Sequence, residues 1–268
     1  MIKTAAIVPH PLILIPNIGR ENLSLLEQTI KAYQKLAEDL KEQEIESIVI
    51  FSSHGPIKSD AFCINLSEKF EINFEEFGDF ATRSSIEGDL YLAQTIKEIF
   101  PNDLKVRMIN NQVLDHASAV PLLLLCQELK DVKVVPIYIS GHDLKRHFEF
   151  GKKIGKQLAK EKKKIAVIAS GDLSHCLNKK APAGYCPKGA KFDQKLIEDL
   201  KAKDPEYLLN TDNELLEEIR ACGPQAISSL LGVLDVLDYE TDILSYESPF
   251  GIGNLTARFT IQDQKTSS

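Results

Sequence analysis

The sequence predicts an α/β fold, a single domain with a mostly parallel twisted sheet, helices on both faces and some antiparallel edge strands. Two observations lead there. Short runs rich in β-branched residues alternate with amphipathic helical stretches, the pattern of βαβ units. One of these runs, "ESIVIF", reads as a buried strand, and strands alternating with helices imply a sheet covered on both faces.

In order, "TAAIV" forms the first strand and must stop near Val8, because Pro9 and Pro11 cannot donate to a ladder. A helix is expected from about Asn22 to Lys41, where Leu23, Leu26, Ile30, Tyr33 and Leu40 share one face. "ESIVIF" follows as a buried strand. "AFCINLS" and "FEINF" alternate more and read as an antiparallel pair at a sheet edge. Next come a helix from about Gly88 to Ile99, the strand "KVRMI" and a helix from about His116 to Leu129. The strand "KVVPIYIS", a helix from about Leu144 to Lys160 and the strand "KIAVIAS" continue the alternation. Helices fill much of 188–237, and "TDILSYE" and "NLTARFTIQ" close the chain as strands. No linker or repeat interrupts the pattern, so one domain over 1–262 and a polar tail over 263–268 are expected.

The 268 residues carry 43% hydrophobic and 26% charged residues, ordinary for a globular chain with a substantial core. A net charge of −7 leaves no basic surplus for nucleic acid. The start "MIKTAAIVPH" enters the first strand without an apolar leader, and no run approaches membrane-spanning length. Five cysteines, an odd count with no CxxC pair, suit reduced thiols. A cytoplasmic protein with neither a membrane nor a nucleic-acid partner is therefore expected.

The main functional signal is where the histidines fall. His10 follows "TAAIV", His54 follows "ESIVIF" in "SSHGP", and His175 follows "KIAVIAS" in "GDLSH". The C-terminal ends of parallel strands share one sheet edge, where ligands bind, so these three imidazoles can converge. His116 follows Asp115, a helix N-cap signal, and the helix dipole there favours a neutral ring. His142 and His147 read as surface histidines. Asp172 either orients an imidazole or caps a turn. Cys222 is either a buried small apolar residue or a thiolate ligand. Glu247, just before Pro249, is either a solvated turn residue or a ligand.

Two imidazoles and one carboxylate with open positions suit non-haem Fe(II) and O2 chemistry; with zinc, the same set would serve hydrolysis. HExxH, Walker A, GxGxxG after a strand and GxSxG are all absent, which disfavours zincin, nucleotide and serine-hydrolase chemistry.

"AAIVPHPLILIP", "SSHGP", "LDHASAVPLLLL" and "SGDLSH" together resemble the class III extradiol ring-cleavage dioxygenases of the LigB type, from the first strand to about Gly253. "CPKGAKFDQKL", "ACGPQAI" and "SYESPFGIGNL" look more like the branch holding the Memo proteins and the dioxygenase-like domain of the AmmeMemoRadiSam system. The resemblance implies Fe(II) held by His10 and His54, His175 as the acid–base group and His116 as a second active-site histidine. It further implies a small aromatic diol and O2 as substrates, with zinc the alternative metal, and association into homo-oligomers. One departure matters. Where the dioxygenases carry a glutamate ligand, "RACGPQAISSLLGVL" offers Cys222 and no carboxylate between 221 and 225, as Memo-like proteins do. Family position thus favours Cys222 as third ligand, whereas O2 chemistry and the strand end favour Glu247, the choice preferred here. The alternative to ring cleavage is a Memo-like metal-binding redox or regulatory protein.

Overall fold

A computed structural model of the chain describes residues 1–100 and 104–262; the expected polar tail, 263–268, lies outside the described residues. The strands are β1 (Ile2–Val8), β2 (Ser47–Ser52), β3 (Phe62–Asn65), β4 (Lys69–Phe74), β5 (Asp79–Gly88), β6 (Val106–Ile109), β7 (Lys133–Tyr138), β8 (Ile165–Ser170), β9 (Tyr239–Glu247) and β10 (Asn254–Ile261). The helices are α1 (Pro16–Gly19), α2 (Glu27–Glu42), α3 (Leu90–Glu98), α4 (His116–Leu125), α5 (Leu144–Leu158), α6 (Pro187–Ala202), α7 (Glu206–Leu209), α8 (Asn213–Ile219) and α9 (Pro224–Leu234). One mixed sheet runs β4-β5-β7-β2-β8-β1-β10-β9, with β3 and β6 attached beside β7. Its centre, β7-β2-β8-β1, is parallel, while β10 and β9 extend it antiparallel at one side and β4 antiparallel at the other.

The unbroken apolar runs are explained by burial on both faces. Ala5 and Ile7 of β1, Val49 and Phe51 of β2, and Val167 and Ala169 of β8 face the core under α5, α6 and α9. Their alternates, Ala6 and Val8, Ile48 and Ile50, and Ala166 and Ile168, face the core under α2 and α4. Side-chain caps start the helices where the sequence offers them: Asp89 accepts from Leu92 N at 3.0 Å, and Asp143 from Arg146 N at 2.8 Å. Helices α5 and α9 pack backbone to backbone, and a Cβ on Gly151 would lie 1.8 Å from the Ser229 carbonyl oxygen.

Three expectations are corrected and one strand is added. Residues 20–26 form a 3-10 turn, so the regular part of the first long helix begins only at Glu27. β3 and β4 do not pair with each other. β3, buried at all four positions, is paired on both edges by β6 and β7, whereas β4 pairs with β5. β5 itself escapes a sequence reading because "ATRSS" is polar and largely exposed. Finally, His147 is 0% exposed and not a surface residue.

His147 has a structural role set by its two ring nitrogens. Nδ1–H donates to the Asp143 carbonyl at 2.8 Å, and Nε2 accepts from Ser140 N–H at 3.2 Å. A second ring proton would face that N–H, and burial lowers the pKa from 6.5 to about 4. The unfolded chain therefore takes up this proton first. Stability from this group is full above about pH 6.5 and declines as pH falls toward about 4, by on the order of 3 kcal/mol. Urea unfolding at about pH 7.5 and about pH 4 should show a smaller loss for His147→Gln than for the parent chain. Equal losses would refute this role.

Candidate metal centre and cleft

The site is assembled by level strand ends. Val8 of β1 and Ser52 of β2 both lie in register with Ser170 of β8. His10, His54 and Asp172 each stand two residues beyond those ends, so the three reach the same rim. α4 contributes His116 from its first turn. Asp115 caps that turn, accepting from Ala117 N at 3.0 Å and Ser118 N at 3.2 Å, and Ser52 Oγ donates to it at 2.7 Å. The rings of His10 and His54 lie 5.1 Å apart, and those of His54 and His116 lie 4.5 Å apart.

Hydrogen bonding fixes the state of the His10 ring. Ser170 Oγ donates its only hydrogen to the Ala117 carbonyl, so it must accept from His10 Nδ1–H at 3.0 Å. Nε2 is then unprotonated, within hydrogen-bond reach of the Cys222 thiol at 3.7 Å and 3.9 Å from Asp172 Oδ2. One ligand atom each from His10, His54 and Cys222 lies within 4.8 Å of the others, and the same holds for Asp172, His175 and Cys222. Asp172 also accepts from His10 N at 3.0 Å, while its own N–H donates to Cys222 Sγ at 3.2 Å.

Burial sets the electrostatics. It holds the His10 ring well below the usual imidazole range, and the neighbouring rings of His54 and His116 push the same way. It lowers His54, His116 and His175 as well, so the imidazoles are neutral at pH 7. Burial raises Asp172 and pushes the Cys222 thiol up to about 12. Neutral rings with a free lone pair beside a thiol form a donor set that fits a divalent cation, which would itself displace the thiol proton. His175 Nε2 is buried without a hydrogen-bond partner. Its backbone is held by donation to the Ile219 carbonyl at 2.8 Å. A cleft of about 680 Å³ opens against His54 and His116, with Phe77 and Tyr138 among its walls.

Glu247 stands apart from these donors. β9 does end on the same sheet edge as β1, but β10 lies between them, which displaces it by roughly 10 Å. Its carboxylate accepts from Thr29 N at 2.7 Å, Thr29 Oγ1 at 2.8 Å and Gln28 N at 3.3 Å, so it closes the start of α2. The residues that sequence reasoning passed over are Ser170, Ser52, Phe77 and Tyr138. A serine ending each apolar run was the available signal for the first two.

A parallel-sheet edge that gathers imidazoles, a thiol and a carboxylate beneath an open cleft defines an α/β protein with a candidate metal centre. The chain belongs to the LigB family, described as the catalytic LigB subunit of aromatic ring-opening dioxygenase, whose model matches residues 4–260. It is 29% identical to a protein of Clostridium acetobutylicum over 92% of this chain and 55% of that one. It is 25% identical to the 3,4-dihydroxyphenylacetate 2,3-dioxygenase of Escherichia coli, over 72% of this chain and 74% of the enzyme. With the 2,3-dihydroxyphenylpropionate/2,3-dihydroxicinnamic acid 1,2-dioxygenase of Photorhabdus laumondii it shares 26% identity, over 54% of this chain and 48% of the enzyme. The chain thus spans about half the length of the Clostridium and Photorhabdus relatives. A crystal structure of a protein from Escherichia coli K12 shares the fold, with a TM-score of 0.69 at 18% identity over 96% of this chain and 99% of that one. Among the described residues, no helix is long and apolar enough to cross a membrane.

Proposed function

We propose that the chain is a non-haem Fe(II)-dependent oxidoreductase of the extradiol type, acting on an aromatic diol with O2. The observation that carries this reading is the unprotonated Nε2 of His10, grouped with ligand atoms of His54 and Cys222 that all lie within 4.8 Å of one another next to the cleft that His54 lines. His10, His54 and Cys222 would hold the metal, with Asp172 beside them. Bound there, Fe(II) supplies positions at which diol and O2 react together, and ring opening inserts both oxygen atoms without an outside reductant. The protein's own part is proton handling. His175, neutral and with Nε2 unpartnered, takes a proton from a diol hydroxyl and later returns it. His116, fixed by the Asp115 cap, orients the second hydroxyl from the cleft side. Five unpaired cysteines suit a reducing compartment such as the cytoplasm.

Cys222 supports a second reading, a Memo-like redox or regulatory metal protein, because a thiolate shifts preference toward softer metals than a carboxylate does. The experiment is anaerobic loading with Fe(II), elemental analysis against zinc, and O2 uptake with a panel of catechols. Uptake of one O2 per diol is expected. Bound iron with no uptake on any diol would overturn ring cleavage and leave the redox reading.

A further inference from the structure

The cleft at the candidate centre has a charge of its own. Among the described residues, those lining it include Glu75, Glu76 and Asp115 but neither lysine nor arginine. Two of these carboxylates are already engaged. Glu75 is paired with Arg83, and Asp115 is held by Ser52 and the cap of α4. Glu76 has no ion-pair or hydrogen-bond partner among the described residues and is exposed on the rim. Next to it, the Phe77 ring is 40% exposed, with an edge contact to His116 at 5.4 Å between centroids.

A free carboxylate and an open aromatic ring on the walls of one cleft are the chemistry that takes an organic ammonium, by ion pairing and by attraction to the ring face. The same rim repels a second carboxylate; among the described residues no lysine or arginine lines the cleft, and the nearby Arg83 is taken up by Glu75. From this pairing we infer that the cleft selects aromatic diols bearing an amine on the ring substituent, with Glu76 and Phe77 as the specificity-determining residues. The inference rests on the aromatic-diol reading above. It sets the chain apart from two of its relatives, whose names specify carboxylate-bearing diols. Arg220 offers the competing arrangement, since it lines a separate opening on the Cys222 side where a substrate carboxylate could be received.

The test uses the Fe(II)-loaded full chain without O2 and reads binding by calorimetry, so it does not depend on turnover. The probes are 2-(3,4-dihydroxyphenyl)ethylamine, 4-ethylcatechol and 3,4-dihydroxyphenylacetate. The amine should bind about tenfold more tightly than the carboxylate, as one exposed ion pair with a cation–aromatic contact allows. Glu76→Gln should bring that ratio within about threefold, and added salt should shrink it in the parent chain. The carboxylate binding as tightly as the amine, with its affinity lost in Arg220→Gln, would overturn the inference in favour of the other opening. An unchanged ratio in Glu76→Gln would overturn the role of Glu76. Iron binding with none of the three diols bound would overturn the aromatic-diol reading itself, and this inference with it.

Discussion

Cys222→Ser should cost the protein its tight Fe(II) binding, while Glu247→Gln keeps it. The thiol lies within 4.8 Å of the ligand atoms of His10 and His54, and a serine hydroxyl neither ionises nor binds as a thiolate does. Even a residue that only orients a ligand typically contributes 10–100-fold to metal affinity, so loss of a ligand should exceed about 100-fold. Glu247→Gln acts elsewhere. It removes the charge that accepts from Thr29 and Gln28 at the start of α2, which should lower stability by about 1 kcal/mol and leave the centre intact. Anaerobic Fe(II) titration of both variants, alongside urea unfolding, separates the two effects. Iron binding that survives Cys222→Ser and fails in Glu247→Gln would return the third ligand to the carboxylate.

The second large effect is expected at His175. His175→Gln should retain a full equivalent of Fe(II) and lose about 10²–10⁴-fold in kcat, the usual contribution of a general acid–base group. Glutamine keeps hydrogen-bonding atoms in place but cannot accept a proton near neutral pH. The local backbone, tied to Ile219 and to Ala183 N, does not depend on the ring. Turnover within about threefold of the parent chain, with iron bound, would exclude the proton-transfer role. A smaller loss of the same kind is expected for His116→Gln, since its ring lines the cleft and its part is to orient a hydroxyl.

Much of this arrangement is legible along the chain because it is local. An apolar run, a proline or glycine turn and a histidine two residues past the strand end are all features of a few consecutive positions, as in "IVPH" and "FSSH". The Asp115 cap is equally local. What fails is lateral. Glu247 ends a strand on the expected edge, yet nothing within "TDILSYE" records that β10 would intervene. The buried state of His147 depends on Ser140 and Asp143 curling around it, whereas its place on the helix after a polar turn suggested solvent. The tautomer of His10 depends on Ser170 and Ala117, each more than 100 residues away. β5 was hidden because its partner strands, and not its own side chains, make it a strand.

The level strand ends bear on how the chain can change over generations. Because Val8 and Ser52 are both in register with Ser170, deleting one residue inside β2 would draw His54 back by roughly 3.3 Å and turn the following side chains to the opposite face. A point substitution in a buried strand leaves that phase intact, whereas an insertion or deletion breaks it. Gaps among functional relatives should therefore avoid β1, β2, β8 and the two residues beyond each, and gather instead at turns such as those around Gly78 and Gly184.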